Sequence, residues 1–217
     1  LKKDPAEIRK NNFYQKNKNN ITHYGMRIED NVINEIFNKL IKKSDYRKRH
    51  SEIKKFNLKS SYLKKGIAIT PLKFGISFTT IHLNQAGALV HIYTDGSVHL
   101  NHGGIEMGQG TNTKIAQIVA SELGLSFEKI KISSTNTSKV PNTSASAASS
   151  TTDLNGAAAL DAVSKIKQNL EKFLNKKYNF KKKKIIYEKG LIKFNNKSFK
   201  FDSIIKDAYL NRISLSS

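Results

Sequence analysis

The chain has 217 residues, 38% of them hydrophobic, a formal net charge of +21 and no cysteine. That length suits one large domain or two small ones, with an ordinary globular composition. The missing cysteine excludes disulfides, thiolate metal sites and cysteine-ligated iron–sulfur clusters, and no apolar run approaches the roughly 20 residues of a membrane span. The composition is compatible with a cytoplasmic protein. The first residue is Leu1, not Met, and Ser214-Leu215-Ser216-Ser217 carries no helix stop. Both ends read as cut, so the chain is expected to be a piece of a longer one.

The positive charge has two readings. A nucleic-acid partner needs a basic footprint with aromatic residues set between the cations. Here the lysines are scattered, as at Lys42-Lys43, Lys64-Lys65 and Lys181 to Lys184, and no stacking pattern accompanies them. Lysine far outnumbers arginine while Asn and Ile are abundant. Compositional drift is therefore favoured over a basic nucleic-acid-binding module.

Asp4-Pro5-Ala6-Glu7 is a helix start, with Asp4 as cap, and predicts a short helix to about Phe13. Val32, Ile33, Ile36, Phe37, Leu40 and Ile41 recur at helical spacing and predict a second helix with one apolar stripe turned to the core. Ser44 or Asp45 caps a third, to about Phe56. The character changes after Lys65. Gly66 to Thr70 reads as a strand ended by Pro71, and Phe74 to Thr79 as another extended run. Residues 83–94 and 97–102 flank Asp95-Gly96, a strong hairpin signal.

The hairpin delivers the chain to Gly103-Gly104-Ile105-Glu106-Met107-Gly108-Gln109-Gly110, four glycines in eight residues. A helix follows over Thr111–Leu123, stopped by Gly124. Such a turn brings peptide N–H groups close to a bound group, and the free N–H donors of the next helix suit an anion. Residues 127–133 alternate as a strand. Ser133 to Thr152 is rich in small and hydroxyl residues and is read as an ordered loop, after which Asp153 caps an Ala-rich helix through Phe173. Residues 175–184 are a Lys/Asn-rich surface segment. Short strands turn at Lys189-Gly190 and Asn195-Asn196, and a last helix runs from Asp202 to Tyr209. The fold class is α+β, with mixed helices and short, largely antiparallel sheets. Residues 1–65 form a mainly helical part and 66–217 an α+β cofactor-binding part, in which 175–201 is basic and peripheral. The whole is read as a fragment of one larger domain.

No nucleophile motif is present. His91, His99 and His102 fall in the hairpin, but no third ligand is suggested, so no metal ligand is assigned. Glu106 would repel an anion, so it is expected to bind the loop's own N–H groups. Gln109 stands between two glycines with an amide that donates and accepts. Spacing alone makes Phe78 a core ring and Thr79 a surface hydroxyl.

Taken jointly, three stretches resemble the xanthine dehydrogenases. They are Lys73 to Thr79 with Leu83 to Val98; His102 to Gly110; and Thr135-Asn136-Thr137, Val140-Pro141-Asn142-Thr143 and Ala147-Ala148-Ser149. Asp4 to Arg9, Asn20 to His23 and Ala208 to Ser216 resemble the same family. The resemblance implies part of the large molybdenum-binding domain of a molybdenum hydroxylase. Such enzymes oxidise xanthine or hypoxanthine in purine catabolism, with water as oxygen source. It implies that Gly108, Gln109, Gly110, Ala147, Ala148 and Ser149 touch a molybdenum–molybdopterin cofactor, and that Phe78 and Thr79 contact the purine. The 2Fe-2S clusters and FAD of such an enzyme, and its NAD acceptor, belong to parts not represented here, as do its catalytic groups. This piece is accordingly expected to be inactive alone. Its implied partners are the purine substrate, the rest of the molybdenum domain and the iron–sulfur/FAD subunit or domains, in a homodimer or heterotetramer. No membrane is implied, and nucleic acid is not favoured. An aldehyde oxidase or other molybdenum hydroxylase is the alternative within this chemistry.

Overall fold

A computed structural model of the chain describes residues 3–139, 142–179, 185–194 and 197–217. The chain forms two compact units, Leu1–Phe74 and Gly75–Ser217.

The first unit holds α1 (Pro5–Asn11), α2 (Ile33–Lys43) and α3 (Tyr46–Lys59). Asp4 caps α1 by accepting from Ala6 N at 2.8 Å, and the Tyr46 hydroxyl donates to the same oxygen at 3.3 Å. A small core of Ala6, Phe37, Tyr46 and Ile69 holds the unit together. The apolar stripe of α2 is only partly used. Phe37 is buried, while Val32, Ile36 and Leu40 stay exposed. The strand expected at 66–70 does not form: Ile67 and Ile69 pack against that core without a ladder partner. Nor is the extended run at 74–79 a strand. Ser77 adopts φ +71°, which breaks the pleat.

In the second unit, β1 (Ala88–Ile92) and β2 (Val98–His102) form the expected antiparallel hairpin, in slightly shorter strands, and β3 (Ile130–Ile132) adds to β2 in parallel. The Asp95 carboxylate closes the turn by accepting from Ser97 N at 2.9 Å. The C-terminal residues cover the free edge of β1: Val90 N donates to Ser217 O and Ile92 N to Leu215 O, each at 2.9 Å. Two helices, α4 (Thr111–Leu123) and α5 (Thr151–Tyr178), pack on each other and against this sheet. Their buried faces carry Ile115, Val119 and Leu123, and Val163, Ile166 and Leu170. The last helix turn of α5 takes in residues 175–178, read from sequence as surface segment. Lys177 bonds Asp207 there at 2.6 Å. The N-cap position of α5 is Ser150, and Asp153 lies in the first turn, where its charge suits the helix dipole.

A second antiparallel sheet contains β4 (Ile186–Glu188), β5 (Leu191–Phe194) and β6 (Lys197–Lys200). Its first turn is Lys189-Gly190, both at positive φ as a two-residue hairpin requires. The Asn195-Asn196 turn and the Lys181 to Lys184 run lie outside the described residues. Ile192 and Phe194 join the main core with α6 (Phe201–Leu210). Where α4 ends, Gly124 has φ +63°, and a Cβ there would lie 2.4 Å from the backbone of Tyr187 and Glu188. Only glycine lets β4 cross so close. No helix among the described residues is long and apolar enough to cross a membrane.

Candidate cofactor site

Three loops of the second unit converge. The first is residues 75–80, the second 103–110, and the third the part of the hydroxyl-rich tract from Asn142 to Ser150. Hydrogen bonds tie them to one another and to the segment 84–87. Ser77 N donates to Ala148 O at 2.9 Å, and Ser144 N donates to Gln85 O at 3.0 Å. Ile105 N donates to Ser146 Oγ at 2.7 Å, and Gly87 N to Thr143 Oγ1 at 3.2 Å. Asn84 clamps Phe78 from both sides: its Oδ1 accepts from Phe78 N at 2.9 Å and its Nδ2 donates to Phe78 O at 2.7 Å. Phe78 is thereby half-buried, whereas Thr79 is exposed.

The glycine turn is anchored at its first residues. A Cβ on Gly103 would sit 2.1 Å from Thr143 Oγ1, and one on Gly104 2.8 Å from Thr151 Cγ2. The turn therefore lies flat against both the third loop and the start of α5. Thr135 Oγ1 reaches the carbonyls of His102 and Gly104 at 3.0 and 2.9 Å, a shared donor that ties the turn to the chain beyond β3.

Part of the free N–H set expected at the start of α4, with two donors of the turn before it, is taken by the chain itself. Glu106 Oε1 accepts from Gly108 N at 2.9 Å and Gly110 N at 3.0 Å, and Oε2 accepts from Asn112 N at 3.0 Å. The bonds from Asn112 and Gly110 hold this carboxyl below the usual glutamate range, so it stays ionised. An internal carboxylate in this place occupies Asn112 N in the first turn of α4 and gives Glu106 its expected structural role. Gln109 is turned inward: its Nε2 donates to Ile105 O at 2.8 Å and its Oε1 accepts from Met107 N at 2.6 Å. One amide hydrogen and one lone pair remain for a further partner.

A cavity of about 340 Å³ opens beside these loops, at the small end of ligand pockets. It brings together Gln109, Ala147 and Ser149 from the expected set, with Met107 and Ser146 beside them. Thr111, Thr151 and Thr152 add hydroxyls, Lys114 adds an ammonium group, and among the described residues no carboxylate lines it. Ala148 and Ser149 both hold φ +53°, which turns successive peptides around this rim. Gly108, Gly110, Phe78, Thr79 and Ala148 lie on the same loops but do not line the cavity. Lys114 Nζ donates to Gln109 O at 3.0 Å. A rim of hydroxyls, one amide and one cation fits a polar, anionic group such as a pterin with its phosphate.

Several contributors were not visible from spacing: Asn84, Thr143, Ser146, Lys114 and the α5 threonines. For Thr143, Ser146 and the threonines the only signal is composition, an unusual density of small hydroxyl residues; Asn84 and Lys114 carry none. The hairpin histidines divide by environment. His91 and His99 face each other across β1 and β2, and His91 packs edge-on against Tyr93. His102 is 1% exposed, and its Nδ1 accepts from Gly104 N at 3.1 Å. Among the described residues no group of three or more His, Asp or Glu side chains is arranged to hold a metal ion.

Known proteins similar to this chain identify its family and fold. Residues 39–217 match the model of the molybdopterin cofactor-binding domain family. The chain is 42% identical over 217 residues to a xanthine dehydrogenase of Calliphora vicina, covering 100% of this chain and 14% of that protein. It is 42% identical over 214 residues to a xanthine dehydrogenase/oxidase of Mus musculus, with 98% and 14% covered. It thus spans about 14% of the length of these relatives. Two solved structures share the fold. Reconstituted CO dehydrogenase from Oligotropha carboxidovorans superposes with a TM-score of 0.72 at 20% identity, covering 99% of this chain and 29% of that one. Quinoline 2-oxidoreductase from Pseudomonas putida 86 gives 0.71 at 19% identity, with the same coverage. The family match takes in all three converging loops, and on that match the chain belongs to the molybdopterin cofactor-binding domain family.

Proposed function

We propose that this chain forms one wall of the molybdenum–molybdopterin site of a xanthine dehydrogenase, an enzyme that hydroxylates purines such as xanthine and hypoxanthine. The observation that carries the reading is the cavity where Gln109, Ala147 and Ser149 meet, rimmed by hydroxyls and Lys114 with no carboxylate among the described residues. Gly108, Gln109, Gly110, Ala147, Ala148 and Ser149 contact the cofactor, the last three through a backbone already bent into the left-handed region at Ala148 and Ser149. Gln109 offers its spare amide hydrogen and lone pair. Lys114 supplies a charge opposite to the cofactor's phosphate. Phe78, held by Asn84, presents its ring to the purine, and Thr79 offers a hydroxyl. When bound, the cofactor supplies the oxygen transfer and accepts the electron pair. The rest of the molybdenum domain contributes the catalytic groups, and iron–sulfur and FAD units carry the electrons on.

The test is metal analysis and purine oxidation by the whole polypeptide. Molybdenum and pterin at about one per chain, with xanthine oxidation abolished or cut at least tenfold by Gln109→Ala, is the expected result. A protein purified without molybdopterin overturns the reading, as does a loaded protein that oxidises benzaldehyde but not xanthine. The 217 residues alone are expected to show no turnover.

A further inference from the structure

The sequence gives His102 no role, yet it is the most enclosed titratable side chain near the glycine turn. It ends β2, and its carbonyl and the carbonyl of Gly104 share the Thr135 hydroxyl. Its ring is 1% exposed. Nδ1 accepts from Gly104 N at 3.1 Å, so the ring carries its proton on Nε2 and is neutral. Nε2 is itself buried, without a hydrogen-bond partner among the described residues, and the Asn112 side chain of α4 acts on the ring in favour of its charged form. Gly104 has no room to move away. An added Cβ there meets Thr151 at 2.8 Å, Asn155 Nδ2 at 3.2 Å and the His102 ring at 3.3 Å. One imidazole nitrogen therefore fixes the peptide from which Ile105, Glu106 and Gln109 depart.

We propose that His102 is a positioning residue for the cofactor loop: as a neutral imidazole it holds the Gly104 N–H, and so sets the orientation in which Glu106 locks the loop and Gln109 reaches the cavity. A doubly protonated ring cannot do this, because Nδ1 would then present a hydrogen to the Gly104 hydrogen. Burial pushes the His102 pKa down, against smaller raising effects from Asn112 and the Glu106 charge. Glu106 is the charged group facing the ring. Asn112 from α4, Asn155 and Thr151 from α5, and Thr135 from the segment after β3 do not titrate. The inference rests on the proposed cofactor site for its functional meaning, though not for its structural claim.

The test uses the whole polypeptide with His102→Asn, His102→Gln and His102→Leu. The Asn side chain places an acceptor near the Nδ1 position, whereas Gln places its polar atoms near Nε2. Molybdenum and pterin content and amide hydrogen exchange at Gly104 are measured. His102→Asn is expected to keep cofactor content within about twofold of wild type and to keep Gly104 protected. His102→Gln and His102→Leu are expected to lose at least tenfold in both. Cofactor loss from the wild type should accelerate as pH falls below the ordinary histidine range, and His102→Asn should not share that acceleration. Equal exchange at Gly104 in all three variants overturns the proposal, as does cofactor loss in His102→Asn matching that in His102→Leu. If the wild type holds no molybdopterin, the cofactor reading fails, and Gly104 exchange alone decides the role of His102. If the Leu variant does not fold, the Asn and Gln pair decides it.

Discussion

Gly103→Ala should separate the second and third loops of the site. The added Cβ would meet Thr143 at 2.1 Å from Oγ1, 2.4 Å from Cβ and 2.7 Å from Cγ2. Rotating Thr143 moves Oγ1 and Cγ2 but leaves Cβ in place. Ordinary contact begins near 3.4 Å, so the two backbones must part by about 1 Å, the difference between 3.4 and 2.4. That shift strains Gly87 N to Thr143 Oγ1 at 3.2 Å, and through the adjoining residues Ile105 N to Ser146 Oγ at 2.7 Å. Overpacking of this kind costs about 1–3 kcal/mol, and each weakened hydrogen bond adds about 1 kcal/mol. The expected loss is about 3–5 kcal/mol, measured by urea unfolding of the chain followed by circular dichroism. Thr143→Ser keeps the offending Cβ and should not rescue the variant. Thr143→Gly removes it and should, with a coupling energy of about 2 kcal/mol in the double-mutant cycle. Additivity within about 0.5 kcal/mol would refute the contact between the loops.

Gly124→Ala should lower the melting temperature by about 5–12 °C, since it adds left-handed strain of about 1 kcal/mol to a backbone clash with β4. A change under about 3 °C would show that β4 does not cross there. Because the folded pKa of His102 lies below its unfolded value, the unfolded state binds more protons between the two. The contribution of His102 to stability is therefore full above about pH 6.5 and declines on acidification, by at most about 1.4 kcal/mol per pH unit. A wild-type stability slope equal to that of His102→Asn would contradict this. Glu106→Gln should speed amide exchange at Gly108, Gly110 and Asn112 severalfold, because a neutral amide cannot replace two accepting oxygens; unchanged protection would show that Glu106 is not the lock.

The helices and the hairpin were legible because each rests on local chemistry. Asp4 before Pro5, the stripe from Ile115 to Leu123 ending at Gly124, and Asp95-Gly96 each specify their structure within a few residues. The strand expected at 66–70 failed for the opposite reason. Alternation marks a residue's fit to a half-buried surface, and Ile67 and Ile69 found one against Phe37 and Tyr46 without a strand to pair with. The stripe of α2 likewise signalled an apolar face but not how much of it this chain covers. At the site, Glu106 was legible because it competes with any anion for the same N–H groups. Lys114 was not, because one lysine on a helix in a chain of net charge +21 carries no signal until the fold brings it to a cavity.

What joins the three loops is mostly backbone. Ser77 bonds Ala148, Ser144 bonds Gln85, and Gly103 and Gly104 lie where side chains would collide with Thr143 and Thr151. The few side chains that bind across loops, Thr143, Ser146 and Asn84, are short and reach main-chain N–H or carbonyl groups. A wall built this way is stiff, since short side chains have little rotamer freedom to lose. It also leaves Gln109, Lys114 and the threonines at the starts of α4 and α5 as the groups with capacity left for a ligand. Stiffness of the backbone and sparseness of free donors are two consequences of one composition. That is why the proposed cofactor contacts fall on a tract of glycine, alanine, serine and threonine.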